Sequence, residues 1–125
     1  YEADELKKES INTVAIMSND TKKYPEDSFD NMKIFSKKFG FKFPYLIDEK
    51  QDVAKNYNAV CTPDFFGFDK NLMLKYRGRI DSKVMNSNEN ETIDRELFNS
   101  MMHIKKTGTI PNNQINSVGC SIKWK

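Results

Sequence analysis

The sequence predicts a mixed α/β domain, a sheet with flanking helices, and three observations predict it. "INTVAIM", residues 11–17, is short, β-branched and almost free of polar side chains, as in a strand buried on both faces. "FFGF" and "LMLKYRG" flank the turn residues "DKN" at 69–71 and read as an antiparallel hairpin. Phe29, Met32, Phe35 and Phe39, and later Ile93, Leu97, Met101 and Ile104, recur at helical spacing.

The elements follow in order. Residues 1–9, "YEADELKKE", read as the end of a polar helix whose only large apolar residues are Tyr1 and Leu6. After the first strand, "SNDTKKYPED" is a loop. Asp27 or Ser28 caps a helix that runs to Phe39, with Asp30 in its first turn and Gly40 at its C′ position. "FPYLID" is a short extended piece. Asp48 begins the next helix, Gln51 stands in capping-box register with it, and Val53, Ala54 and Tyr57 face inward. In the hairpin, Leu72, Leu74 and Tyr76 alternate with Met73, Lys75 and Arg77, so one face is the wetter. Residues 80–91 are a polar loop. A last helix spans about residues 92–106, with Lys105 and Lys106 suited to its C-terminal dipole and Gly108 to stop it. The domain thus covers residues 1–108, and residues 109–125 form a C-terminal tail.

The order β-α-(short β)-α-β-β-α indicates a mixed sheet. A strand buried on both faces needs sheet neighbours, yet only the end of a helix precedes it. The expectation is therefore a sheet lacking its first strand and most of its first helix. Residues 11–17 and 65–68 should run parallel across a gap of about two strand spacings of ~4.8 Å.

Composition excludes several function classes. A chain of 125 residues supports one domain with a real core. Net charge is only +2, and basic residues alternate with acids, as in "DELKKE" and "DRELFNSMMHIKK". That is a solvated helix face, not a nucleic-acid footprint. The longest uncharged apolar stretch, "VAIM", is far too short for a membrane span. Two cysteines are too few for a disulfide scaffold, and with one histidine there is no zinc spacing, so neither a metal nor a cofactor is expected. So few cysteines make the reducing cytoplasm the default location. No signal peptide is recognisable, but the chain begins at Tyr1, which leaves a leader open. The Asn-x-Thr sequons at Asn19 and Asn90 read as chance.

One cysteine stands in an unusual place: "AVCTPDFFGFD" puts Cys61 two residues before Pro63, which runs directly into an aromatic strand. Together, "VAIMSND…YPEDS…FGFKFPYLIDEKQDVAKNYNAVCTPDFFGFD…YRGRID" and the ending "GCSIKWK" resemble the peroxiredoxin-like branch of the thioredoxin family, in the alkyl hydroperoxide reductase/thiol-specific antioxidant superfamily. The resemblance runs from Ile11 to the C-terminus. It implies a thioredoxin-like fold and a cis Thr62–Pro63 bond beside a reactive centre. It also implies that Thr62 and Pro63 bind an extended substrate segment and that Cys61 faces the same pocket. The family's Cys-x-x-Cys lies between its first strand and first helix, and no cysteine precedes Cys61 here. The chain is therefore expected to be an N-terminally truncated part of a longer protein, and to be inactive alone.

Each candidate residue has a plain reading beside the functional one. Cys61 is either a small buried hydrophobe or a catalytic thiol, and Cys120 is a tail residue or a weaker redox candidate. Two free thiols are favoured over a Cys61–Cys120 disulfide. Arg77 and Arg79 read as solvated charges at a strand end, and His103 as a flank residue without a catalytic role. Phe65, Phe66 and Phe68 read as packing, and Trp124 as an anchor for the tail. The implied function is thiol–disulfide exchange or peroxide reduction in the parent protein, acting on a disulfide-containing protein or a peroxide. The alternative is a non-catalytic binding module that uses the cis-proline groove. Oligomeric state is left open.

Overall fold

Tyr45–Ile47 (β2) pairs in parallel with Ala15–Met17 (β1), in the register Ala15↔Tyr45, Ile16↔Leu46, Met17↔Ile47. The structure is a computed structural model that describes residues 1–83, 92–112 and 114–125. These fall into two compact units, residues 1–60 with 121–125, and residues 61–120.

In the first unit a polar helix, Glu2–Lys8 (α1), buries only Leu6. The strand that follows differs from expectation. It is three residues long, and Ile16 is 42% exposed and its register partner Leu46 50%. Alternation puts these two on one face of the ladder. The apolar run reports a surface that needs cover, and on this face the ladder stands open. The second helix, Phe29–Lys38 (α2), follows a 3₁₀ turn at Pro25–Asp27. Ser28 is its cap, its Oγ accepting from the Asn31 amide at 3.3 Å, while Asp27 accepts from the Asn19 side chain at 3.0 Å. Gly40 takes φ +63°, as its C′ position requires. Of the predicted stripe only Met32 is buried; Phe29, Phe35 and Phe39 are about half exposed. Phe35 rests on Phe39, Phe41 and Tyr45, with ring centroids 4.6, 5.6 and 6.5 Å apart.

The third helix, Asp52–Asn56 (α3), starts four residues later than the capping-box reading placed it, because Gln51 takes a left-handed φ of +62°. Asp48 still caps it. Its carboxylate accepts from the Ala54 amide at 3.0 Å, the Val53 amide at 3.3 Å and Ser18 Oγ at 2.9 Å. Burial pushes this carboxyl's pKa up, but the hydrogen bonds outweigh burial and hold it below the ordinary value. Gln51, fully buried, donates its amide to the Ser18 carbonyl at 2.8 Å and the Lys123 carbonyl at 2.9 Å, and accepts from the Lys125 amide at 3.1 Å. The last residues are held by this side chain and by buried Ile122, which joins Leu6, Met32 and Ala54 in the core. Trp124, expected to be the anchor, is partly exposed, with Lys55 Nζ 6.0 Å from its ring.

Asp48→Ala is expected to destabilise the protein by about 2 kcal/mol in urea unfolding, because it strands two helix amides and Ser18. A depressed carboxyl stabilises above its unfolded pKa, and that stabilisation is lost as pH falls through the folded pKa. The gap between wild type and variant should therefore close under acid conditions; a gap constant with pH would refute this account.

In the second unit, Cys61–Thr62 (β3) leads into Phe65–Phe68 (β4), which pairs antiparallel with Leu74–Gly78 (β5). Asp69 builds the turn, its Oδ1 accepting from the amides of Asn71 at 2.8 Å and Met73 at 3.0 Å. A register shift between Gly67 and Phe68 breaks the alternation. Tyr76 is fully buried, while Leu72 and Leu74 are exposed.

The last helix, Glu96–Thr107 (α4), begins four residues later than its apolar spacing suggests. The Ser82 amide donates to the Asp94 carbonyl at 2.9 Å and the Asp94 amide donates to Ser82 Oγ at 2.8 Å, and the segment from Thr92 to Arg95 stays outside the helix with Ile93. Leu97, Met101 and Ile104 are buried as expected, and Gly108 ends the helix at φ +68°. Residues 84–91, most of the predicted polar loop, lie outside the described residues. Within the tail, Cys120–Ser121 forms a short strand (β6).

Arg77 and Arg79 are not merely solvated strand-end charges. Arg79 Nε donates to Glu96 Oε1 at 2.6 Å, and the Glu96 side chain is only 1% exposed. Tyr76 donates its hydroxyl to the Arg79 carbonyl at 2.5 Å. Burial, with the Glu96 charge nearby, pushes that phenol up to about 12.

Candidate functional site around Cys61

Cys61 sits at the start of β3, half-buried, and Thr62 and Pro63 beyond it are exposed. The Thr62–Pro63 peptide bond is cis. The Cys61 thiol donates to the Ser117 carbonyl at 3.7 Å. Asp64 lies next to it with its carboxylate nearly buried, accepting from Ser117 Oγ at 2.8 Å and from Arg77 Nη2 at 3.2 Å. The Arg77 guanidinium lies over the Phe66 ring, 5.1 Å from its centroid.

The tail completes this surround. The Arg77 amide donates to Gln114 Oε1 at 3.0 Å, and Gln114 Nε2 donates to the carbonyls of Lys75 at 3.0 Å and Pro111 at 3.1 Å. The Arg79 amide donates to the Ile115 carbonyl at 2.9 Å. Gly119 then passes so close to the Thr62 carbonyl that a side chain there would collide with it. Thr62 Oγ1 reaches the Cys120 carbonyl at 3.5 Å. The chain's own tail thus occupies the carbonyl side of Thr62.

Both cysteines are free thiols, Cys61 half-buried and Cys120 exposed. Burial pushes the Cys61 pKa up, the Asp64 carboxylate adds to the rise, and Arg77 opposes it without cancelling it. Cys61 is therefore a protonated thiol at neutral pH and a weak nucleophile in this arrangement. Its alkylation by iodoacetamide should rise with pH at a midpoint above that of a short cysteine peptide. Asp64→Asn should lower that midpoint and Arg77→Ala should raise it. An Asp64→Asn midpoint equal to or above wild type would remove the carboxylate from the explanation.

The arrangement brings together Cys61, Thr62, Pro63 and the backbone of Cys120, but leaves the Cys120 thiol at the surface. It adds Asp64, Gln114 and Ser117, which sequence reasoning missed, and Arg77, which it read as a solvated strand-end charge. Asp64 had one signal, a lone acid between Pro63 and an aromatic strand. Ser117 and Gln114 had none, because no periodicity marks them. His103 is exposed on α4, its Nε2 2.9 Å from Thr109 Oγ1. Among the described residues no cluster of His, Cys, Asp and Glu could hold a metal ion, and no helix is long and apolar enough to cross a membrane.

Comparison with known proteins bears out the family resemblance and the fold. The model of the AhpC/TSA family matches residues 2–77. An uncharacterized conserved protein from Geobacillus kaustophilus is similar in structure, with a TM-score of 0.87 and 44% identity over 98% of this chain. A hypothetical protein from Sinorhizobium meliloti is similar with a TM-score of 0.85 and 33% identity, also over 98% of this chain. This chain spans 65% of the length of the first and 67% of the second. Curated proteins yield no match.

Proposed function

Because the chain belongs to the AhpC/TSA family and has a thioredoxin-like fold, we propose that it forms the Cys61 side of a thiol-dependent redox centre in a longer parent protein. At the family level the chemistry is that of thiol-dependent peroxidases and oxidoreductases. The observation that carries the reading for this chain is the loop itself. A half-buried thiol stands beside a cis Thr62–Pro63 bond whose residues are exposed, with the tail covering only the carbonyl side of Thr62.

The reaction proposed is thiol–disulfide exchange or peroxide reduction. With a disulfide, a thiolate attacks one sulfur, the S–S bond breaks, and a mixed disulfide forms. A second thiol then displaces it and leaves a new disulfide. With a peroxide, the thiolate attacks oxygen, the O–O bond breaks, water or an alcohol leaves, and a sulfenic acid remains. A second thiol condenses with that acid and releases water. The substrate is a disulfide-containing protein or a peroxide. Cys61 supplies one thiol, Thr62 and Pro63 position the partner, and Cys120 is the weaker candidate. The reading requires an attacking dithiol that residues 1–125 do not contain, so this chain alone is expected to be inactive.

A second reading has its own observation. The Cys61 thiol is held protonated and bonded to the Ser117 carbonyl, which suits a binding module that no longer uses the thiol for attack. One experiment separates the two: peroxide consumption and disulfide reduction by the parent protein, as wild type, Cys61→Ser and Cys120→Ser. The redox reading expects a loss in Cys61→Ser of about tenfold or more, the scale on which a positioned catalytic group acts. Full activity in that variant would reduce Cys61 to packing, and an inactive wild-type parent would favour the binding module.

A further inference from the structure

The second unit presents an apolar tip that the redox reading does not use. Leu72, at the hairpin turn, is 82% exposed, and Met73, Leu74 and Ile110 are at least half exposed. Leu72 also takes φ +61°, a left-handed backbone that a bulky residue adopts at a cost and that Asn adopts more readily. A side chain so exposed gains little from packing within the unit, so neither burial nor turn geometry favours leucine at this position.

Contacts within the unit place these residues at one end of it. The helix α4 starts where Glu96 takes the Arg79 guanidinium, next to Gly78 at the far end of the hairpin, and Met101 then fills the space over Gly67. The helix therefore runs toward the hairpin turn, and its last turn carries Lys105 and Lys106 to that end. Ile110 lies two residues beyond Gly108, and Gln114 ties the adjoining Pro111 carbonyl to the Lys75 carbonyl near the turn. Charge divides along the same axis. Among the described residues of the unit, Asp64, Asp81, Asp94 and Glu96 lie toward the other end, where Arg77, Arg79, Lys83 and Arg95 accompany them. Asp69 is the one acid at the tip, and its carboxylate takes two turn amides and pairs with Lys75 Nζ at 3.9 Å. Lys70, Lys105 and Lys106 leave the tip positive.

We propose that this tip docks on an anionic lipid surface, with Leu72 and Met73 entering the headgroup layer and Lys70, Lys105 and Lys106 facing its phosphates. Large apolar side chains ringed by cations suit a surface that is negative outside and apolar within. The contact is docking and not a span, since no helix among the described residues is long and apolar enough to cross a membrane.

The test is cosedimentation of the 125-residue chain with two kinds of vesicle, phosphatidylcholine alone and phosphatidylcholine with about one-third phosphatidylserine. Wild type should bind the anionic vesicles about tenfold more tightly than the neutral ones, and the preference should fade at about 1 M salt, where charge is screened within a few ångströms. Lys70→Gln and Lys106→Gln should each weaken binding to the anionic vesicles by about fivefold. Leu72→Asn should weaken it by about tenfold while unfolding at the same urea concentration as wild type or a higher one, because Asn accepts the left-handed backbone. Absence of binding to the anionic vesicles, or binding that Leu72→Asn leaves intact, overturns the proposal. Equal binding to the two kinds of vesicle overturns the part assigned to the lysines. A Leu72→Asn chain less stable than wild type would mean that the leucine packs within the unit, and self-association through Leu72 without vesicle binding would make the partner a second copy; either result overturns the lipid assignment.

Discussion

Gly119→Ala is expected to lose about 3 kcal/mol of stability. The new Cβ would meet the carbonyl oxygen and carbon of Thr62 and the nitrogen of Pro63. All three are backbone atoms, so no side chain can rotate aside, and the tail itself must move. That movement also draws the Ser117 carbonyl away from the Cys61 thiol. The variant should therefore unfold at lower urea and expose Cys61 to alkylation more readily than wild type. Gly40→Ala is the control, since open space surrounds that position and only its backbone angle resists. A Gly119→Ala protein with wild-type stability and labelling would mean that the tail is not seated against Thr62.

Arg79→Met should cost about 3–5 kcal/mol, as expected when one partner of a buried ion pair is removed. The Glu96 carboxylate is buried, its Oε1 takes both Arg79 contacts, and its Oε2 has no hydrogen-bond partner among the described residues. Without the guanidinium that charge has no compensation. The double variant Arg79→Met with Glu96→Leu should recover most of the loss, because the charge leaves together with its partner. Denaturant unfolding of the two single variants and the double variant measures this directly. If the losses simply add, the pair is not coupled and the burial argument fails.

How much of this was legible beforehand depends on whether the signal was local. The hairpin was legible because Asp69, Lys70 and Asn71 interrupt a period-two apolar pattern, and the side chain of Asp69 makes the turn. The end of α4 was legible in Gly108, but its start was not. Ile93 fits the helical period, yet the Ser82–Asp94 bonds fix the chain before the helix begins. Gln51 has the spacing of a capping box, and its left-handed backbone sends the side chain elsewhere. Apolar spacing in α2 located a helix without telling which of its faces would be covered. At the site, Cys61, Thr62 and Pro63 were legible as consecutive residues. Asp64 with Ser117 was not, because a contact across 53 positions leaves no pattern in a single sequence.

Gln51 also has a consequence for the order of events during synthesis. Its amide joins residues separated by 33, 72 and 74 positions, and the unit it belongs to is discontinuous, residues 1–60 with 121–125. On a ribosome, residues 61–120 must all be made between its two parts, a delay on the order of several seconds. Residues 61–120 are continuous, so their unit needs no segment synthesised after it. The nascent N-terminal part waits throughout with Gln51 lacking its tail partners and the site of Ile122 unfilled. That interval is when this chain is most open to chaperones and proteases.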